Sequence, residues 1–465
     1  MKLKRNIESL AACTFLLCML TSCFIKRSTI TVPAETPQVP SDIAALTAMN
    51  IVSAPSISPS TPEPIPVPLN QPLLPSAKEN KSVVPEEQSD AWALGVQRKL
   101  DSLCNTGLFQ STQLGVYIYD LTARKPLYAL NAEQRMRPAS CQKLVTCISA
   151  LHYLGKDYRF RTQLYVSGNV KSRILQGDVC VQGGMDPLFS PTDLEQMVQS
   201  LRQQGIDSIA GKLYMDLSMK DDLPYGWGWC WDDEYGPYSA LMVNARDEFA
   251  SYWLNGLRKS GIALSDTLIL PFSGLPEGTK HVMTISRPME DVMEPVLKKS
   301  ENIYAECMFF QVAAHGGKKQ ASHKDAREKI DLFIASLNLD PTPYLVADGS
   351  GLSQYNYSTP QLLVQLLNYA YNHRQIYNPL YKALPIAGVD GTLKNRMKGT
   401  RAEKNVRAKT GSVTGVSTLS GYLKAANGHE ISFSIMNQGL IKGSDGRDFQ
   451  DKVCTLLCGE QENKN

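Results

Sequence analysis

The chain has 465 residues, 43% of them hydrophobic and 20% charged, with 5 Trp and 20 Tyr, enough for two or more folded units with a sizeable core. A small disulfide scaffold and a wholly disordered chain are excluded. The 48 Lys and Arg against 45 Asp and Glu leave a net charge of +3, without a basic stripe, so no nucleic acid partner is expected.

In chain order, residues 1–22 read as an export leader. Lys2, Lys4 and Arg5 precede an eleven-residue apolar run from Leu10 to Leu20, too short to span a bilayer. The run closes on Leu20-Thr21-Ser22-Cys23, which resembles the bacterial lipobox. Cys23 is therefore expected to carry lipid and to anchor the mature chain to the cell envelope, on the periplasmic side of a bacterial membrane. Of the 11 cysteines, Cys13 and Cys18 leave with the leader, and the pairing of the eight beyond Cys23 stays open. A staple between Cys454 and Cys458 is one arrangement; plain buried thiols are the other.

Residues 23–88 form a tether with 12 of the 27 prolines. It reaches on the order of 200 Å if fully polyproline-like and averages about 45 Å as a coil. Folded sequence starts at Ser89, with Trp92, Val96, Leu100 and Leu103 at helical spacing. Strands follow at Leu114 to Asp120 and Pro126 to Leu130. A helix then opens after Pro138, with Leu144, Ile148, Leu151 and Leu154 as its apolar face.

That helix carries the first chemical signal. Ser140 in its first turn and Lys143 three residues on share a face, so the amine can take the serine proton. The amine serves as a base near neutrality only if burial or a second cation lowers its pKa. Chance gives about one or two S-x-x-K patterns in a chain of this size, and the mature chain holds one.

Residues 161–284 read as an inserted smaller α/β domain, with alternating strands, helices at Leu194 to Gln204 and Phe249 to Leu257, and the cluster Trp227, Trp229 and Trp231. The tryptophans are expected to pack between domains, with stacking on glycan rings as the alternative. Among the S-x-N patterns, Ser167-Gly168-Asn169 reads as a hairpin turn and Ser336-Leu337-Asn338 as a helix end, whereas Ser300-Glu301-Asn302 opens a helix after two lysines. Asp348 with Ser350 reads as a turn first and a site rim second, and Asp390-Gly391-Thr392 as another turn near a cleft. Lys409-Thr410-Gly411-Ser412 is the one K-T-G and leads into two alternating runs around Asn427-Gly428. That places it on or beside a strand of an antiparallel sheet. There a lysine and a hydroxyl can hold a carboxylate, and glycine lets a substrate backbone approach. No H-E-x-x-H or G-x-S-x-G is present.

S-x-x-K, S-x-N and K-T-G in this order, together with PASCQKL, GGMDPLF, KKSENIYAE, DGSGLS and KTGSVTGVSTLSGYL, resemble the class C low-molecular-mass penicillin-binding proteins, the D-alanyl-D-alanine carboxypeptidase/endopeptidases. The similarity runs from about Ser89 to the C-terminus. It implies a penicillin-binding-protein/serine β-lactamase-like α/β (α+β) fold, an antiparallel sheet flanked by helices, built from residues 89–160 and 285–465. It also implies Ser140 as acylated nucleophile, Lys143 as its base, Ser300 as proton shuttle, Asn302 as a contact to the substrate amide, and Lys409 and Thr410 as holders of a terminal carboxylate. The amides of Ser140 and Ser412 would form the oxyanion hole beside Gly411, with Lys409 as the second cation. Substrates would be peptidoglycan stem peptides, inhibitors β-lactam antibiotics, with no cofactor and no metal. A serine β-lactamase and a penicillin sensor lipoprotein without turnover are the rival readings.

The chain departs from that pattern in three places. Glu301 stands where aspartate is usual, and Met185 replaces a glycine. Only 156 residues separate Lys143 from Ser300, which leaves no room for the further domain that the family often nests in the insertion.

Overall fold

The computed structural model describes residues 86–459, except Glu234 and Ser273. The leader, Cys23 and most of the tether lie outside the described residues. Helix α1 spans Glu86–Cys104 and so starts three residues inside the stretch assigned to the tether.

Strands β1 (Gln113–Asp120) and β2 (Lys125–Leu130) form the expected hairpin. They complete a five-stranded antiparallel sheet with β12 (Arg407–Val413), β13 (Val416–Lys424) and β14 (Glu430–Gln438), in the order β12-β13-β14-β1-β2. The Asn427-Gly428 turn joins β13 to β14 with Lys424 opposite Glu430, and Gly428 takes the positive φ of 86° that such a turn needs. One face of the sheet buries Leu419, Leu423, Phe433 and Ile435 against Val96 and Leu100 of α1 and Phe449 and Val453 of the last helix.

The other face meets a helical layer. Helix α2 (Gln142–Leu154) follows a 3-10 turn at Ala139–Cys141, so Ser140 sits just before the α-helix rather than in its first turn. Later in the chain come α5 (Met289–Lys298), α6 (Asn302–Ala314), α7 (His323–Ser336), α8 (Pro360–Asn372) and α9 (Arg374–Ala383). Helix α6 is buried on all sides from Ala305 to Ala313, as a central helix apolar around its circumference must be. The closing helix α10 spans Gly443–Cys458.

A second five-stranded sheet runs from edge to edge through β10 (Ile269–Phe272), β8 (Leu213–Asp216), β6 (Val179–Gln182), β3 (Arg159–Val166) and β11 (Lys280–Pro288). Its core takes in α3 (Pro191–Gln203) and α4 (Phe249–Lys259), through Leu194, Met197, Phe249 and Trp253. Ser167 and Gly168 join β3 to a strand of a separate small sheet rather than turning a hairpin, because β3 pairs with β6 and β11 instead. Asn338 follows α7 with φ 61°, the helix end that its sequence predicts.

Cys104, Cys141, Cys147, Cys180, Cys230, Cys307, Cys454 and Cys458 are all unpaired, so the plain-thiol reading holds and Cys454 and Cys458 form no staple. Among the described residues no helix is long and apolar enough to cross a membrane.

Candidate active site

Three separate segments converge on one cleft. The 3-10 turn holds Ser140 and passes its chain into α2, where Lys143 is fully buried. Ser300 lies in the link between α5 and α6, and Asn302 is the first residue of α6. Lys409 to Ser412 lie on β12, an edge strand of the first sheet. Ala139 and Ser300 both hold left-handed backbone, with φ of 46° and 67°, conformations that a non-glycine residue keeps only when its surroundings over-determine them.

Packing fixes the approach of β12 to the turn that holds Ser140. A Cβ on Gly411 would lie 2.1 Å from Thr418 Oγ1, 2.7 Å from the Pro138 carbonyl and 3.0 Å from the Cys141 amide nitrogen. The strand and turn therefore touch only because that position lacks a side chain. The Thr418 hydroxyl donates to the Pro138 carbonyl at 2.8 Å, and the Cys141 thiol donates to the Lys409 carbonyl at 3.2 Å.

Lys143 Nζ lies 2.9 Å from Ser140 Oγ, 2.6 Å from Asn302 Oδ1 and 2.7 Å from the Ser350 carbonyl oxygen. Burial first, then the charge of Lys409, lowers its pKa to about 7. Two of its partners are acceptors only, so a neutral amine points both N–H bonds at Asn302 and Ser350. Its lone pair is left facing the Ser140 hydroxyl. This is the protonation pattern a general base requires.

The second lysine serves a different alcohol. The Lys409 ammonium donates to Ser300 Oγ at 2.9 Å and to the Thr410 carbonyl at 2.7 Å, with its pKa lowered to about 8 by burial. Thr410 Oγ1 meets Thr392 Oγ1 at 2.8 Å, which places the Asp390-Gly391-Thr392 turn at the cleft as expected. Lys298 ties that turn down, donating to Asp390 Oδ2 at 2.6 Å and to the Leu384 carbonyl at 2.7 Å. Ser412 is exposed beside Gly411, and Glu301 is exposed as well.

Sequence reasoning found the turn at Asp348 and Ser350 but not its burial behind Lys143. Asp348 and Ser350 are fully buried rather than at a rim. Asp348 Oδ1 accepts from the Gly351 amide and Asn356 Nδ2, both at 2.7 Å, while Oδ2 accepts from the Ser353 amide at 2.7 Å. Glu306, fully buried on α6, accepts from the Ser350 amide at 2.8 Å and the Gly349 amide at 3.2 Å. Burial and then Asp348 push its pKa up to about 8. The Thr146 hydroxyl donates to the Gly349 carbonyl at 2.6 Å. The glutamate at the fourth position after Asn302 was visible in KKSENIYAE, but nothing in one sequence separates a buried carboxylate from a solvated one.

The tryptophans divide. Trp229 packs against the helical core and donates its indole N–H to Asp348 Oδ2 at 2.9 Å, as the packing expectation has it. Trp227 is 44% exposed yet packs on Tyr355, with ring centroids 5.2 Å apart, and under the Arg327 guanidinium at 4.9 Å, whereas Trp231 is 96% exposed and does not pack. Met185 is buried in the core with φ 50°.

The D-Ala-D-Ala carboxypeptidase 3 (S13) family model matches residues 96–246 and 240–458. The two stretches meet where the sequence leaves no room for a nested domain. The chain is 24% identical over 445 residues to the D-alanyl-D-alanine carboxypeptidase DacB of Haemophilus influenzae, covering 76% of this chain and 92% of that protein. It is 25% identical over 488 residues to the D-alanyl-D-alanine carboxypeptidase of Actinomadura sp. strain R39, covering 83% and 88%. Crystalline penicillin-binding protein 4 (DacB) of Haemophilus influenzae shares the fold with a TM-score of 0.71 at 23% identity, over 77% of this chain and 99% of that one. With most of its described residues matched in order, the chain belongs to the D-Ala-D-Ala carboxypeptidase (S13) family.

Proposed function

We propose that this protein is a serine D-alanyl-D-alanine carboxypeptidase/endopeptidase that acts on peptidoglycan stem peptides through an acyl-enzyme on Ser140 and is inhibited by penicillin. The observation that carries this reading is Lys143, fully buried, its pKa lowered to about 7, 2.9 Å from Ser140 Oγ and held by Asn302 Oδ1 at 2.6 Å and the Ser350 carbonyl at 2.7 Å.

In the reaction, Ser140 Oγ attacks the carbonyl of the penultimate D-alanine as its proton passes to Lys143 Nζ. The amides of Ser140 and Ser412 receive the oxyanion, and Lys409 with Thr410 holds the terminal carboxylate. Ser300, bonded to Lys409, relays a proton to the leaving amine. D-alanine departs, or a neighbouring stem when a crosslink is cut, and water with Lys143 again as base releases the acyl group. Asn302 both orients Lys143 and meets the substrate amide. Each of these roles needs only side chains and main-chain amides already at the cleft.

Residues 161–284 are proposed as a domain inserted into a catalytic domain of residues 89–160 and 285–465, and Cys23 as the lipid anchor that holds both in the envelope. Release of D-alanine from a pentapeptide by the purified protein tests the function. Acylation by a fluorescent penicillin without that release would make it a sensor, and fast hydrolysis of the penicillin itself would make it a β-lactamase.

A further inference from the structure

A cavity of about 460 Å³ lies away from the nucleophile, between the outer face of the second sheet and the segment that follows α6. Alternate residues Arg159, Arg161 and Gln163 of β3 face it from one side, with Gln182 of β6 opposite Gln163 in register. Lys318 and Lys319 face it from the other. Four cations from two walls thus border one concave space.

The nearby acids do not neutralise them all. Asp157 at the rim pairs with Lys156 at 2.7 Å, and Asp325 takes Lys318 at 2.6 Å. Asp216 is buried and accepts from Gln182 Nε2 at 2.7 Å, the Ser218 amide at 2.9 Å and the Gly274 amide at 3.0 Å. Among the described residues Arg159 donates only to the hydroxyl and carbonyl of Ser286. Arg161 and Lys319 have no salt-bridge partner among the described residues. Lysines after α6 also complement the negative end of that helix, but this does not account for two arginines on the strand across the gap. Like charges facing one another over low-dielectric walls focus a positive potential into the space between, and a guanidinium matches a carboxylate in two-point geometry.

We propose that this cavity is a second substrate site that takes carboxylates of the peptidoglycan polymer, one stem away from the stem being cut. The inference rests on the peptidoglycan reading above. Helix α6 gives the spacing: Asn302 opens it at the nucleophile and Ala314 closes it at the cavity, and its 13 residues measure about 20 Å at 1.5 Å per residue. Only a substrate longer than a single pentapeptide reaches both ends. Gln163 along the lining, with only a 3.4 Å contact to Thr284 Oγ1, offers an amide to a peptide that carries those carboxylates, whereas the amides of Gln182 and Gln311 are held by Asp216, Gly184 and Tyr158.

The test compares the wild type with Arg161→Glu/Lys319→Glu and with the charge-keeping Arg161→Lys/Lys319→Arg, on soluble pentapeptide and on insoluble sacculi. The ratio of sacculus to pentapeptide turnover should fall about ten-fold in the charge-reversed variant and stay near wild type in the charge-keeping one. The same proteins, first acylated with penicillin to block the nucleophile, should show that loss as weaker co-sedimentation with sacculi at low salt, shrinking as salt rises. An unchanged ratio with unchanged sedimentation overturns the proposal, as does an equal fall on both substrates. If the wild type releases no D-alanine from pentapeptide, the catalytic reading fails, and sedimentation decides this one on its own.

Discussion

Trp229 hydrogen-bonds Asp348 at 2.9 Å, and Asp348 in turn fixes the loop whose Ser350 carbonyl receives Lys143 at 2.7 Å. The segment around Trp229 is thus one buried carboxylate removed from Lys143. Trp229→Phe keeps the ring and deletes the donor, leaving Asp348 Oδ2 short of a partner. The expected loss is about 1–3 kcal/mol of stability, read by denaturant titration, with a penicillin acylation rate lower by about ten-fold. Equal rates and equal midpoints would disconnect the two sites.

The two lysines predict a bell-shaped pH profile. Lys143, lowered to about 7, must be neutral to take the Ser140 proton, so activity is lost as pH falls through about 7. Lys409, lowered to about 8, must be charged to hold a carboxylate, so activity is lost as pH rises through about 8. The two limbs belong to the pair jointly. Measured on kcat/KM for D-alanine release, a profile flat from pH 6 to 9 contradicts these assignments.

Removing the nucleophile or its base gives the largest effects. Ser140→Ala should abolish covalent penicillin labelling. Lys143→Met, which keeps much of the side-chain volume, should slow acylation by about a hundred- to ten-thousand-fold. Circular dichroism should stay native in both. Labelling of Ser140→Ala at the wild-type level places the nucleophile elsewhere.

Gly351 has φ 80°, and a Cβ there would come within 1.9 Å of the Ala139 carbonyl, the residue before the nucleophile. Gly351→Ala should therefore destabilise the fold by more than about 1 kcal/mol and displace the nucleophile turn. A melting temperature within a degree of wild type is the contrary outcome.

Glu306 makes a separate statement about stability. Its folded pKa is raised from 4.5 to about 8, so its contribution is full below pH 4.5 and is lost as pH rises towards 8. Lys143 stays protonated below its own value of about 7, so the window from about pH 5 to 6.5 isolates the glutamate in a difference between proteins. Glu306→Gln should lose stability relative to wild type most at the acid end of that window, with the gap closing as pH rises. A gap constant with pH refutes the assignment.

Much of this was legible in the sequence. The hairpins at 113–130 and 416–438, the helix after Pro138 and the three motifs were all set by local signals: alternation, turn chemistry and spacing on one face. The roles of the lysines were only half legible. A linear sequence gives two amines but not which alcohol each meets, and Lys409 turns out to serve Ser300, with burial ahead of its charge in lowering Lys143. Glu306 and the Asp348 loop were illegible because their function depends on burial, which long-range packing decides. The tryptophans split for the same reason: one of three adjacent indoles found a buried acceptor.

The K-T-G strand lies at a margin of its sheet. Residues 385–387 cover only its beginning, through Ala408 to Pro385, Ala387 to Val406 and the bridge of Ile386 to Arg407. The stretch from Lys409 to Val413 has no further strand on its outer side among the described residues. A peptide lying extended there would be read through its main chain, and alternate residues of so short a span offer two or three contacts at most. Such a reader registers chain direction and a free carboxyl end while remaining tolerant of the side chains further up, which suits an enzyme whose substrates share an ending more than they share a body.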